Sequence, residues 1–128
     1  MPYTILVVDD EPSIVVPLQF LMEQNGYTVQ VAATGEEAMD AIDRYRPDLI
    51  LLDIMLPVID GFEVCQAVRE DPSRRDTKII FLTAMGRDMD KAKGIASGAD
   101  AYITKPFANA EVLETVGRLL GEADKISV

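Results

Sequence analysis

The chain has 128 residues, which suits one domain, and its 48% hydrophobic content argues against disorder. It contains no histidine and a single cysteine, Cys65, which excludes an internal disulfide, histidine-dependent catalytic triads and histidine-ligated zinc. The net charge of −10 disfavours direct binding of nucleic acid.

Five short apolar runs alternate with five segments of helical spacing. The predicted strands are Tyr3–Val8, Thr28–Ala32, Leu49–Asp53, Lys78–Thr83 and Ala101–Thr104. The first and third contain the continuous apolar runs ILVV and LILL, which are typical of parallel strands covered on both faces. The alternation predicts an α/β, flavodoxin-like fold: a (βα)5 three-layer sandwich with a parallel five-stranded sheet of order 2-1-3-4-5.

Apolar residues recur at helical spacing in the five segments between and after these strands. They are Ile14, Leu18, Leu21 and Met22; Ala38, Ile42 and Tyr45; Phe62, Cys65 and Val68; Ala92, Ile95 and Ala96; and Val112, Val116, Leu119 and Leu120. Pro17 interrupts the first pattern, because it removes a backbone hydrogen bond to Ser13 at a cost of roughly 3 kcal/mol. We therefore expect the first helix to kink at Pro17 or to begin late.

The whole chain, residues 1–128, is predicted to be one domain with a core at about 3–121 and a short tail at 122–128. No apolar run approaches the ~20 residues of a membrane span, and the first residues lack the features of a signal peptide. The sequence therefore predicts a cytoplasmic protein without a membrane partner.

Polar residues stand where the predicted strands end. They are Asp9 and Asp10 after the first strand, Asp53 in the third, Thr83 in the fourth and Lys105 after the fifth. Ligand sites in open α/β sheets lie at this edge, so the three aspartates are expected to meet there. Such a cluster requires a cation or raised pKa values, and Mg²⁺ suits oxygen ligands. Taken singly, the aspartates are better explained as helix caps and turn residues.

A hydroxyl and an ammonium at the same edge favour phosphoryl transfer over these simpler explanations. In that chemistry Asp53 is the carboxylate nucleophile. A metal ion and Lys105 neutralise phosphoryl oxygens, and Thr83 offers one of them a hydroxyl group.

At these residues the chain resembles the receiver domains of bacterial two-component response regulators, the CheY-like superfamily. The matching segments are ILVVDDEP at 5–12, PDLILLDIMLPVIDGFE at 47–63, FLTA at 81–84, GAD at 98–100 and YITKPF at 102–107. The resemblance implies a signalling domain rather than an enzyme, one that assists only its own phosphotransfer and dephosphorylation. The implied partners are a sensor histidine kinase or histidine phosphotransfer protein, and a downstream target or an output domain.

The resemblance also implies a metal site. Asp10 would ligate Mg²⁺ directly and Asp9 through water, beside Asp53 and the backbone carbonyl of Met55. Mn²⁺ is expected to substitute for Mg²⁺.

Further roles implied by the resemblance concern the phosphoryl group. Asp53 would carry it, and Lys105 would contact it, with a cis peptide bond before Pro106. Thr83 and Tyr102 would form a switch pair, although a core aromatic explains Tyr102 equally well from sequence alone. The remaining site positions are Ala84 and Met85.

Three positions near the acceptor distinguish this chain. Met55 and Met85 lie two residues after Asp53 and Thr83, and a thioether is poorly suited to orienting an attacking water. We therefore expect a long-lived phosphorylated state. Val58 stands where the family often has glycine, which predicts a different loop backbone.

Two other protein classes with a similar arrangement of strands and helices require residues that this sequence does not have. A phosphatase of the haloacid-dehalogenase type needs a second acid where the chain has Met55, and a flavodoxin needs a phosphate-binding loop after the first strand. A pseudo-receiver that docks without phosphorylation stays open, and it need not bind Mg²⁺.

Oligomeric state and output are left open by the sequence. A homodimer through the fourth helix, fifth strand and fifth helix would use four charged residues, Lys91, Asp100, Glu111 and Arg118. Ordinary solvated charges on the surface explain these four residues better. Ala101 stands where receivers of the winged-helix transcription factor subclass often have an acidic residue. A stand-alone receiver and part of a longer regulator fit equally well.

Overall fold

The computed structural model describes residues 2–84 and 96–121. Five strands form one parallel sheet: β1 (Thr4–Val8), β2 (Thr28–Ala32), β3 (Leu49–Asp53), β4 (Lys78–Ala84) and β5 (Ala101–Lys105). Their order, β2-β1-β3-β4-β5, confirms the predicted topology, and every strand lies within one residue of its predicted bounds.

Four α-helices lie within the described residues: α1 (Pro12–Gln24), α2 (Gly35–Tyr45), α3 (Gly61–Glu70) and α4 (Asn109–Leu119). A short 3-10 turn, Pro72–Arg74, leads into β4. The helix predicted around Ala92, Ile95 and Ala96 falls outside the described residues, apart from Ala96. In the part of the chain that the structure describes, no helix has the length and apolar character needed to cross a bilayer.

The central strand β3 is buried at every position because helices cover both faces of the sheet. Alternate residues of the strand therefore join different layers of the core. Leu49 and Leu51 pack in the layer that contains residues of α1 and α4. Ile50 and Leu52 pack in the layer that contains residues of α2 and α3. This two-sided burial explains the continuous apolar run of the sequence.

Helix α1 starts at Pro12, so of the two alternatives expected from Pro17, a kink or a late start, the late start is wrong. Proline suits the first helical position, where the missing N–H has no helical partner in any case. The helix then continues through Pro17. Because Ser13 is exposed, water can bond the carbonyl group that Pro17 leaves without a helical donor.

Helix α3 starts close to the backbone of Asp53. Asp60 caps this helix by accepting a hydrogen bond from the N–H of Glu63. A Cβ atom at Gly61 would lie 2.5 Å from the carbonyl oxygen of Asp53, so only glycine permits this approach. The cap and the glycine together fix the acceptor loop, residues 54–60, between β3 and α3.

Arg69, on α3, joins the segments that lead into β4 and β5, at the amino ends of these strands. Its guanidinium group donates to the carbonyl oxygens of Gly98 (2.8 Å) and Thr77 (2.7 Å) and to Asp100 Oδ2 (2.7 Å). Asp100 also accepts a hydrogen bond from the N–H of Ile79. The carboxylate of Asp100, one of the charges considered for a dimer face, is therefore committed to contacts within the chain.

The acceptor loop contains a strained residue. Val58 has a φ of 66°, and the N–H of Ile59 donates to the carbonyl oxygen of Pro57 across it, closing a tight turn. A β-branched residue in this left-handed region costs about 1–3 kcal/mol, whereas glycine adopts it freely. The side chain of Val58 is 85% exposed, so the loss of packing on its removal is small.

We expect Val58→Gly to raise the free energy of unfolding by about 1–2 kcal/mol, because it releases this strain. Urea unfolding followed by circular dichroism measures the change. Val16→Gly is the matched control: it removes an exposed valine from α1, where φ is helical, and should lower stability by about 0.5–1 kcal/mol. Destabilisation by both substitutions would show that Val58 is not strained.

Candidate functional site

Three aspartates converge at the carboxyl edge of the sheet. Asp9 and Asp10 follow β1, Asp53 ends β3, and these two strands are neighbours. One carboxylate oxygen from each residue lies within 4.8 Å of the others. Asp9 and Asp53 are buried and Asp10 is exposed. The structure thus brings together the carboxylates that the sequence places at three separate positions.

Asp9 is engaged on both oxygens. Its Oδ1 accepts a hydrogen bond from the N–H of Glu11 (2.9 Å), and its Oδ2 accepts one from Lys105 Nζ (2.9 Å). The N-cap residue of α1 is Glu11 and neither of the two aspartates, and the side chain of Glu11 makes no capping hydrogen bond. Helix capping therefore does not explain the aspartate pair.

Asp53 is held between its own loop and Lys105. Its Oδ1 accepts a hydrogen bond from the N–H of Met55 (3.1 Å), and its Oδ2 lies 3.8 Å from Lys105 Nζ. Burial raises the pKa of Asp53 to about 6, and the charge of Asp9 adds to this effect. The bond from Met55 and the charge of Lys105 act in the opposite direction. The carboxylate is therefore ionised at neutral pH but binds a proton more readily than an exposed aspartate does.

Lys105 is the ammonium group of the site. Burial alone would lower its pKa, but the hydrogen bond to Asp9 and the charge of Asp53 raise it overall, so the group stays protonated. The peptide bond between Lys105 and Pro106 is cis, as expected. β5 therefore delivers a cation to the edge where β1 and β3 deliver carboxylates.

Thr83 stands beside these charges with an unused hydroxyl group. It is 1% exposed, and its Oγ1 has no hydrogen-bond partner within the described ranges. Strand register pairs Leu82 with Asp53, so Thr83 is one position further along β4. A buried hydroxyl without a partner is costly, and it is satisfied when an acceptor is bound.

Tyr102 lies on the same face of the sheet as Thr83. It pairs in register with Phe81, two positions before Thr83, and it packs partly buried against the core on the α2–α3 side. Of the remaining predicted positions, Ala84 is exposed at the end of β4, and Met85 lies outside the described residues. Gly61, which lets α3 approach Asp53, is absent from the predicted site residues, although a glycine at the first position of a helix is a recognisable signal for close backbone approach.

The residues of this site fit a divalent metal ion. All the converging acidic ligands are oxygens, which is the donor set that Mg²⁺ prefers. Three carboxylates face the single ammonium group of Lys105, which leaves two formal negative charges uncompensated among these four side chains. A bound Mg²⁺ would balance them.

The sequence matches one family model and is similar to two curated regulatory proteins. A family model described as the response regulator receiver domain matches residues 5–117. The chain is 44% identical over 122 residues to the DNA-binding dual master transcriptional regulator RpaA of Synechocystis sp., covering 95% of this chain and 51% of that protein. It is 46% identical over 120 residues to the alkaline phosphatase synthesis transcriptional regulatory protein PhoP of Bacillus subtilis, covering 94% and 49%. The chain spans about half the length of these curated relatives.

A solved structure adds a likeness in three dimensions. The receiver domain of the sensor histidine kinase PA1611 from Pseudomonas aeruginosa is described with a magnesium ion coordinated in its active site cleft. It matches with a TM-score of 0.86 and 32% identity, covering 94% of this chain and 99% of that one.

The raised pKa of Asp53 predicts a pH-dependent stability in the metal-free protein. Between pH 3.8 and about 6 the folded state binds a proton that the unfolded chain releases, so stability falls as pH rises through this window. Asp53→Asn removes the effect. Without Mg²⁺, we expect this variant to be about 2–3 kcal/mol more stable than wild type near pH 7.5, with little difference below about pH 4.

Urea unfolding in a chelating buffer at several pH values measures this difference. Asp40→Asn, which neutralises an exposed carboxylate on α2, is the control and should leave the pH profile of wild type unchanged. Parallel pH profiles for wild type and Asp53→Asn would contradict the prediction.

Proposed function

The chain belongs to the response regulator receiver domain family, and from this premise we propose that it accepts a phosphoryl group on Asp53 and changes shape in response. The observation that carries the proposal is the buried, ionisable carboxylate of Asp53 beside a lysine and two aspartates, with a threonine hydroxyl on the next strand that has no partner among the described residues. The donor is a sensor histidine kinase or a histidine phosphotransfer protein, and the domain acts in the cytoplasm as a signalling unit rather than an enzyme.

The transfer is a nucleophilic substitution at phosphorus. An oxygen of Asp53 forms the new O–P bond while the N–P bond of the donor phosphohistidine breaks, and its electron pair returns to the imidazole nitrogen. A pKa of about 6 keeps Asp53 ionised at neutral pH. Its hydrogen bond from the Met55 N–H holds one oxygen and orients the carboxylate.

Lys105 and Thr83 stabilise the charge that the phosphoryl group brings. Lys105 Nζ lies between Asp9 and Asp53, 3.8 Å from the latter, and can turn to an oxygen of the new group. Thr83 donates its buried hydroxyl to another oxygen. Asp9, Asp10, Asp53 and the carbonyl of Met55 would hold Mg²⁺, which supplies further charge neutralisation when bound.

The switch follows from the same contacts. A phosphoryl group adds up to about two negative charges and strong acceptors beside Thr83. The hydroxyl then gains a partner that it lacks among the described residues, so the state in which Thr83 approaches the phosphoryl group is favoured. Tyr102, half-buried on the same face, turns inward to fill the space that Thr83 vacates.

The output is proposed from the relatives. The two curated relatives are transcriptional regulators about twice as long as this chain, so a phosphorylation-dependent contact with an output region or a separate target is the step that follows the switch. A homodimer through the predicted fourth helix, β5 and α4 is compatible with such a step. Among the described residues, no observation favours a pseudo-receiver, because all of the described reactive positions are filled.

Phosphate incorporation from acetyl phosphate tests the proposed chemistry. We expect wild type to gain one phosphoryl group in the presence of Mg²⁺, and Asp53→Asn to gain none, because the amide is not a nucleophile. Chelation of Mg²⁺ or Asp10→Asn should reduce incorporation strongly. Intact mass spectrometry reads all four samples, and unchanged circular dichroism spectra of the variants serve as the folding control.

Two results would overturn the proposal. Incorporation that persists in Asp53→Asn would place the acceptor elsewhere. A folded wild type that neither binds Mg²⁺ nor incorporates phosphate would identify a pseudo-receiver.

The phosphorylated state should be long-lived. The exposed thioether of Met55 lies two residues after Asp53 and is poorly suited to orienting water for hydrolysis. We expect Met55→Asn and Met85→Glu to shorten the half-life of the phosphorylated protein several-fold, and Met55→Leu to leave it unchanged. Loss of the phosphoryl group is followed by intact mass after removal of acetyl phosphate. Equal half-lives for all variants would show that these methionines only pack.

A further inference from the structure

The strain at Val58 is not offset by burial of its side chain within the part of the chain that the structure describes. The residue holds a φ of 66° that glycine would adopt without cost, and its side chain is 85% exposed, so it contributes little packing to the fold. Strained residues persist where another interaction offsets them, and they cluster at functional sites. A binding partner that contacts the outward-facing side chain of Val58 would supply such an interaction.

The acceptor loop borders the carboxyl edge of the sheet, where Asp53 ends β3. Met55, whose N–H holds Asp53, is 57% exposed, and Val58 follows three residues later. The loop thus presents two large exposed apolar side chains within five residues of the acceptor. Reacting atoms must approach to about 3–3.5 Å, so a protein that phosphorylates Asp53 has to settle over this edge.

Acidic residues at the same edge indicate which kind of surface the phosphodonor protein would need. Asp10 and Glu11, at the end of β1, are both exposed, so acidic groups accompany the apolar side chains of the acceptor loop. A complementary surface combines apolar contact area with basic side chains. Small phosphodonors such as acetyl phosphate need neither feature.

We propose that Val58, together with Met55, is a docking contact for the protein phosphodonor and helps to determine which donor is accepted. The partner surface is an apolar patch beside the phosphohistidine, flanked by basic residues that face Asp10 and Glu11. This inference rests on the proposed function, since it names the partner of the same site. The strain at Val58 is then offset in the complex, where the side chain leaves water.

Substitutions at Val58 separate this contact from the chemistry. Val58→Gly and Val58→Asn both relieve the backbone strain and remove the apolar surface, whereas Val58→Ile keeps the β-branch and the apolar surface. A panel of purified histidine kinase fragments is first tested with the wild-type chain, and the one that phosphorylates it fastest is chosen. The probe is this fragment after autophosphorylation, when it carries the phosphohistidine. The reference donor is acetyl phosphate.

With the kinase fragment, we expect the glycine and asparagine variants to show a KM about five- to tenfold above wild type, since burying one valine side chain is worth about this factor. Their kcat should change little, and Val58→Ile should resemble wild type. With acetyl phosphate, all four proteins should be phosphorylated at the same rate, because the small donor does not reach the valine.

Three outcomes would overturn the inference. The first is an unchanged KM in the glycine and asparagine variants with the kinase fragment. The second is an equal loss with acetyl phosphate, which would mean that Val58 shapes the reactive site itself. The third is a sedimentation coefficient that differs between the Val58 variants and wild type in the absence of the kinase fragment. That difference would mean that Val58 contacts a second copy of this chain. A wild type that acetyl phosphate does not modify would instead refute the proposed function.

Discussion

The confinement of negative charge at one edge of the sheet is the constraint on which the rest of the structure depends. Asp9 and Asp53 are buried there, and Asp10 lies close to both. Carboxylates at such separations repel one another unless a cation is near. Lys105 meets this need in part by bonding Asp9 and approaching Asp53, and the remaining excess matches the charge of a divalent ion. Burial and repulsion together raise the pKa of the acceptor.

The fold produces this arrangement because β1, β3, β4 and β5 are parallel and end at the same edge. Register fixes the order of the groups: Leu82 pairs with Asp53, and Thr83 pairs with Thr104, the residue before Lys105. Apolar residues fill the layers on both faces of the sheet, so the polar residues that end the strands are left at its rim. A shift of one residue in any strand would move the reactive side chain to the opposite face.

The sequence predicts the strands well because each is a short apolar run bounded by polar or turn residues. The ends of these strands then give the positions of the aspartates, Thr83 and Lys105. The sequence does not predict features that depend on contacts between distant residues. The clamp made by Arg69 joins segments up to about thirty residues apart, and two of its three partners are backbone carbonyls, which carry no sequence signal. The positive φ of Val58 is hidden because valine is a poor residue for that conformation. Of the two alternatives expected from Pro17, the late start is wrong: the helix starts at Pro12, and because Ser13 is exposed, water can replace the lost donor.

Two side-chain ties hold opposite edges of the sheet. At the edge remote from Asp53, the guanidinium group of Arg69 joins α3 to the residue before β4 and to the residues before β5. At the carboxyl edge, Lys105 joins β5 to Asp9 and lies 3.8 Å from Asp53. A phosphoryl group on Asp53 would add negative charge beside Lys105 and none beside Arg69. Of the two ties, the one made by Lys105 is therefore the one that such a charge would rearrange.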